Sequence, residues 1–222
     1  MAAAKTYQAT SISGDGWENL DWEAGPWQDM AHVDLGNYMG DRPVHFPDTR
    51  VKVGHDDEAL YLHYRVEDRY VRAVAEADQG RIWEDSCVEF FFTPGPELSD
   101  LYFNLEMNCS GKILLHFHPG GGGETVILSA EECGTVERVH SLPDGVEPEI
   151  SEAVTWQLVC RLPLDLIAAH APITRPEPGA AWRVNFYKCA DQSSHPHWLT
   201  WSPVDFHRPN FHLPGQFGTL TF

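Results

Sequence analysis

Runs in which apolar residues recur at every second position constrain this chain more than any other feature. "SCVEFFFTP" places Ser86, Val88, Phe90 and Phe92 on one side of an extended backbone, and Cys87, Glu89, Phe91 and Thr93 on the other. "AVTWQLVCRLPL" aligns Val154, Trp156, Leu158, Cys160 and Leu162, and "AWRVNFYKCAD" sets Trp182, Val184 and Phe186 against Arg183, Asn185 and Tyr187. "VKVGHDDEALYLHYRVED" predicts two strands around a turn at Asp56–Ala59. "LYFNLEMNCSGKILLHFHPGGGG" predicts a hairpin turning at Cys109–Gly111. Clusters of Gly, Pro, Asn and Asp separate the runs, which is the spacing of a sandwich or barrel. The expected fold class is therefore all-β: an antiparallel β-sandwich of jelly-roll or immunoglobulin-like type, with at most one short helix, at "LDLIAAH". No composition shift or repeat divides residues 1–222, so the chain reads as one domain, with lead-in loops and an edge strand in residues 1–40.

Charge narrows the ligand. With 15 basic and 33 acidic residues the formal charge is −18. Such a field repels phosphate backbones, so nucleic acid is a poor partner, and a neutral or cationic ligand fits better. No apolar run approaches a membrane-spanning helix. The start, "MAAAKTYQATSISGDGW", lacks the apolar core of a secretory signal, which reads as cytoplasmic for the chain as given, or as secreted or periplasmic if a leader precedes it. Five widely spaced cysteines without a CxxC pair fit reduced thiols better than a disulfide framework or a structural zinc site.

One face raises a chemical question, because Glu89 sits among large apolar residues just downstream of Trp83. The run "LYFNLEMNC" adds Tyr102, Asn104, Glu106 and Asn108 on its outer side, and "WRVNFYKC" adds Arg183, Asn185 and Tyr187. A sheet face that only meets water tends toward Lys, Thr, Ser and Glu. Amides and carboxylates interleaved with aromatics suit a sugar, whose hydroxyls need paired donors and acceptors and whose ring stacks on aromatic planes.

In order along the chain, "WEDSCVEFFFTP", "YFNLEMNCSG", "WRVNFYKC", "LTWSPV" and "FHLPGQFGTLTF" resemble the family 9 carbohydrate-binding modules and their stand-alone relatives, from "VKVGHDDEALYLHYRVED" to the C-terminus. The resemblance implies a non-catalytic β-sandwich that holds an oligosaccharide or polysaccharide chain end between two aromatic planes, in the service of carbohydrate catabolism and often attached to glycoside hydrolases. It further implies Trp83 as one wall and Glu89 as an acceptor of sugar hydroxyls. Asn104, Glu106, Asn185 and Arg183 follow as further polar contacts, and Phe211 as the second wall, where xylanase-linked members carry tryptophan. Asn104 stands where those modules have arginine. The family's structural calcium would fall to Asp68 and Asp85, although calcium takes six to eight oxygens.

Two rivals come from the residues themselves. Glu89 and Glu106 on neighbouring strands could form the carboxylate pair of a glycoside hydrolase or lyase. His116 and His118 in "HFH" project to one side of a strand and could ligate a transition metal in a redox domain; the resemblance to sandwiches that bind haem implies, as a variant of this, an axial His/Met pair with Met107. "HPH", with His195 and His197, offers a second such pair.

Overall fold

The alternation read from the sequence is built as two packed sheets. The structure is a computed structural model describing residues 5–222. Chain order runs β1 (Thr6–Gln8), β2 (Thr10–Ser11), β3 (Val33–Asp34), β4 (Asn37–Tyr38), β5 (Asp48–His55), β6 (Ala59–Asp68), β7 (Val71–Ala73), β8 (Cys87–Thr93), β9 (Tyr102–Asn108) and β10 (Ile113–His118). There follow β11 (Val126–Ile127), α1 (Ala130–Thr135), β12 (Glu137–His140), β13 (Val146–Ile150), β14 (Val154–Pro163), α2 (Leu164–Ala168), β15 (Ala181–Cys189), β16 (Trp198–Thr200) and β17 (Gly218–Thr221). The larger sheet has the order β1-β17-β15-β8-β9-β10-β11, with β16 on β15 and β4 on β16. The smaller has the order β12-β14-β6-β5-β2, with β3 on β5, and β13 pairs with β7 separately.

Inward-facing residues of both sheets merge into one core. Val88, Phe90 and Phe92 of β8, Phe103 and Leu105 of β9, and Trp182, Val184 and Phe186 of β15 meet Leu60, Leu62, Tyr64 and Val66 of β6 and Trp156, Leu158 and Leu162 of β14. Each such side chain, fully removed from water, contributes about 1.5–3 kcal/mol, and Phe90, Phe92 and Phe103 stack in series across β8 and β9. The expected turn between β5 and β6 and the hairpin between β9 and β10 form as read, with Gly111 at a φ of 76° in the latter. A left-handed backbone there suits glycine.

Three expectations need correction. The fold has a second short helix, α1, besides α2 at "LDLIA". Its signal was present in "SAEEC": Ser129 accepts from the Glu132 amide while the Glu132 carboxylate accepts from the Ser129 amide, a reciprocal cap. Strand pairing is not wholly antiparallel, because β1 joins β17 and β2 joins β5 in parallel. Last, the early residues are more than lead-in loops. Trp27 and Met30 form a second apolar layer with Tyr61 and Val159, against which Trp17 packs. That layer buries the outer side of β6, and His63 there contacts the rings of Trp22 and Trp27. Among the described residues no helix is long and apolar enough to cross a membrane.

Candidate functional site

The outer face of the larger sheet is covered by loops, and between loops and strands lies a cleft of about 390 Å³. Strands β8, β9 and β10 supply Glu89, Phe91, Asn104, Glu106, Leu114 and His116 to it. The 3-10 turn Ile82–Glu84 supplies Trp83, and the 209–212 segment supplies Asn210 and Phe211. Trp83 is 38% exposed, so its indole stands in the cleft and outside the core. Size and lining, apolar with a few convergent polar groups, are those of a small-molecule site.

The cleft floor is a facing pair of acids. Glu89 and Glu106 are cross-strand partners on β8 and β9 and so share one face. Tyr64 reaches over from the other sheet and donates to the Glu89 main-chain carbonyl at 2.8 Å, tying that strand position to the core. Glu89 Oε1 accepts from the Cys189 thiol at 3.0 Å, and Glu106 Oε1 accepts from Asn104 Nδ2 at 3.0 Å. The amide is itself oriented, since His118 Nε2 donates to Asn104 Oδ1 at 2.9 Å and the Thr125 hydroxyl donates to His118 Nδ1 at 3.1 Å. The remaining oxygens, Glu89 Oε2 and Glu106 Oε2, have no hydrogen-bond partner among the described residues although both are buried. Burial, reinforced for Glu89 by Cys189 and Glu106 and for Glu106 by Asp191, raises both acids above the ordinary glutamate range. A carboxyl held toward its protonated form can donate as well as accept, which matches a hydroxyl.

Other predicted residues lie elsewhere. Arg183 donates Nη1 to Thr219 Oγ1 at 2.7 Å and Nη2 to the Phe217 carbonyl, so its head group is used at the β15–β17 junction and not in the cleft. Asn185 donates to the Ser202 carbonyl at 3.1 Å and accepts from the Ser202 amide at 2.8 Å, fully buried. Phe211 does reach the cleft, but one of its faces is stacked on Tyr187 at 4.0 Å. Trp198, missed in the sequence, also lines the cleft and donates Nε1 to Asp191 at 2.7 Å. Alternation could have found it, because its neighbour Leu199 points into the core.

All four oxygens of Asp68 and Asp85 are engaged by the chain. Asp68 accepts from His45, the Arg69 amide and Trp156, with the Lys188 ammonium at 3.6 Å. Asp85 accepts from the Val74 and Ala75 amides and from Asn108. An ammonium beside Asp68 opposes a calcium ion there. His116 lines the cleft while His118 stacks on Tyr102 at 4.3 Å, and Met107 is a core residue. His195 stacks on Tyr70 and His197 meets Lys188 at 2.8 Å, so the two His-x-His pairs do not converge.

Similar in structure is a presumed carbohydrate-binding protein from Bacteroides uniformis, at 32% identity and a TM-score of 0.87, covering 99% of this chain and 100% of that one. Family 9 modules from Caldicellulosiruptor kristjanssonii share the fold at 15% identity. One, in complex with glucose, has a TM-score of 0.61 and covers 98% of this chain and 95% of its own. Another, in complex with cellotriose, has a TM-score of 0.64 and covers 98% and 93%. No curated protein sequence matches the chain. The profile of carbohydrate-binding family 9 matches residues 18–222. The chain belongs to carbohydrate-binding family 9, whose function is carbohydrate binding without catalysis.

Proposed function

We propose that the cleft takes a single pyranose ring, at the end of an oligosaccharide, with Trp83 and Trp198 beside the ring and Glu89, Asn104 and Glu106 bonding its hydroxyls. The observation that carries this reading is the pair of open oxygens, Glu89 Oε2 and Glu106 Oε2, buried on one strand face in a cleft with two indoles. A buried oxygen without a partner costs about 1–3 kcal/mol, and a sugar hydroxyl recovers it on binding. The acids also lie side by side on one floor, whereas glycoside cleavage needs carboxyls flanking the scissile bond. The family 9 structures holding glucose and cellotriose lend support for a sugar of that size.

Calorimetric titration with glucose, cellotriose and cellotriitol, the chemically reduced form, tests it. Binding of glucose and cellotriose with loss of the reduced form is expected. Equal binding of reduced and unreduced chains removes the chain-end part, and no heat with any of the three removes the reading.

A further inference from the structure

Beneath the cleft, three side chains of two ligand types meet that sugar binding does not use together. Cys87 and Cys189 are cross-strand partners on β8 and β15, and Glu89 lies two residues along from Cys87 on the same face. The Sγ atoms of the two cysteines and a carboxylate oxygen of Glu89 all lie within 4.8 Å of one another. Among the described residues no other His, Cys, Asp and Glu side chains form such a group. Both thiols are free, and all three side chains are at least nine-tenths buried.

We propose that Cys87, Cys189 and Glu89 form a binding site for a thiophilic divalent cation of the zinc or cadmium kind, entered through the cleft. The geometry is close to what such an ion needs. Tetrahedral ligands at a metal–sulfur distance of about 2.3 Å stand roughly 3.8 Å apart, so the group closes around an ion by side-chain adjustment alone. Cys189 already approaches Glu89 Oε1 at 3.0 Å, with a proton where the metal would sit. Glu89 Oε2 is a second, independent pointer: a buried oxygen with no partner among the described residues. Glu89 and Cys189 line the cleft, so an ion has a way in and keeps a coordination position open toward it. Two sulfurs and one oxygen favour zinc or cadmium over calcium or magnesium, which take oxygen alone. Each thiol, and the Glu89 carboxyl from its protonated form, gives up a proton to solvent on ligation, forming metal–sulfur and metal–oxygen bonds without any change of oxidation state. Because the ion and a sugar share Glu89, occupancy by metal weakens sugar binding.

The test is a titration of the reduced, sugar-free full chain with cadmium chloride, read by the ultraviolet thiolate-to-cadmium charge-transfer absorption. The absorption is expected to saturate at a single equivalent and to vanish in Cys87→Ser and Cys189→Ser, in which Cys109, Cys133 and Cys160 remain. Glu89→Gln, which keeps an acceptor for the Cys189 thiol, is expected to fold and to bind cadmium at least about tenfold more weakly, the cost that even second-shell losses carry. No absorption in the wild-type protein, its persistence in both serine variants, or unchanged affinity in Glu89→Gln overturns the site. Because no sugar is present, these outcomes are independent of whether the cleft binds one.

Discussion

Asp68 and Asp85 are as deeply buried as Glu89 and Glu106, at 4%, 0%, 2% and 5% exposure, yet the two pairs do opposite things. The aspartates are surrounded by donors: two backbone amides and an asparagine hold Asp85, and histidine, indole, amide and ammonium hold Asp68. Desolvation raises the Asp68 pKa, but Lys188 and the hydrogen bonds outweigh it and hold the carboxyl below the ordinary aspartate range. The glutamates have one donor each, and their acidity moves the other way. Burial therefore does not mark a binding group. Hydrogen-bonding capacity left over after folding and turned to a cleft does, because that is what a ligand can fill.

The largest expected effect of a single substitution comes from breaking the satisfied side. Asp68→Ala strands the Lys188 ammonium, fully buried, beside a neutral histidine, and should lower stability by about 3–5 kcal/mol. Urea denaturation measures this. Unchanged stability would mean that the buried pair is not an ion pair in solution.

Glu89→Leu is the matched change on the open side. Sugar affinity should fall by about 1–3 kcal/mol, while stability holds or rises, because the acid leaves an unpaired oxygen behind. The sign with pH sharpens this. An acid raised on folding is without penalty below the unfolded value and lowers stability as pH climbs above it. The stability gain from Glu89→Leu should therefore be larger at neutral pH than near pH 4, about the unfolded value. An equal gain at both would show that Glu89 is not raised.

Acid acts on the buried histidines as well. Burial, with Lys188 adding to it for His197, lowers both His63 and His197 to about 3. They stay neutral in the fold while their unfolded counterparts protonate at about 6.5, so their contribution to stability is full above that pH and is lost as pH drops toward 3. The slope is about 1.4 kcal/mol per pH unit for each histidine. Asp68, lowered on folding, adds a further loss below about pH 4. Because the raised Glu89 and Glu106 slope the other way over the same range, the slope is read as the difference in chemical denaturation between the wild type and His63→Gln or His197→Gln, and an equal pH dependence in variant and wild type contradicts it.

The smallest effects concern the cleft walls. Trp83→Ala should cost about 1 kcal/mol of sugar affinity, from the apolar area of one ring face, with little loss of stability because the indole is already partly in water. Trp198→Phe keeps a smaller plane but loses the hydrogen bond to Asp191, so a reduction of a few tenths of a kcal/mol, roughly, is expected. Parallel titrations of both variants rank the walls, and a greater loss in Trp198→Phe would make Trp198 the principal one.

Much of this was legible in single residues. The face of Cys87, Glu89 and Phe91 opposite Val88, Phe90 and Phe92 is visible in "SCVEFFFTP", and Asn104 and Glu106 in "YFNLEMNC". The cap of α1 is legible too, in the spacing of Ser129 and Glu132. Alternation puts Arg183 and Asn185 on the outer face of β15, and nothing local shows that Ser202 and Thr219 arrive to occupy them.

By itself the sequence determined the strands, their two faces and the acids placed on one of them, since alternation depends only on neighbours along the chain. The tertiary structure decided which polar atoms remain open. Asp68 is quenched by His45, Trp156 and Lys188, which are distant in sequence, and Cys87 meets Cys189 only because β8 lies beside β15. A hydrogen bond or an ion pair requires a partner within bonding distance, and distance across the fold is not a property of any one segment.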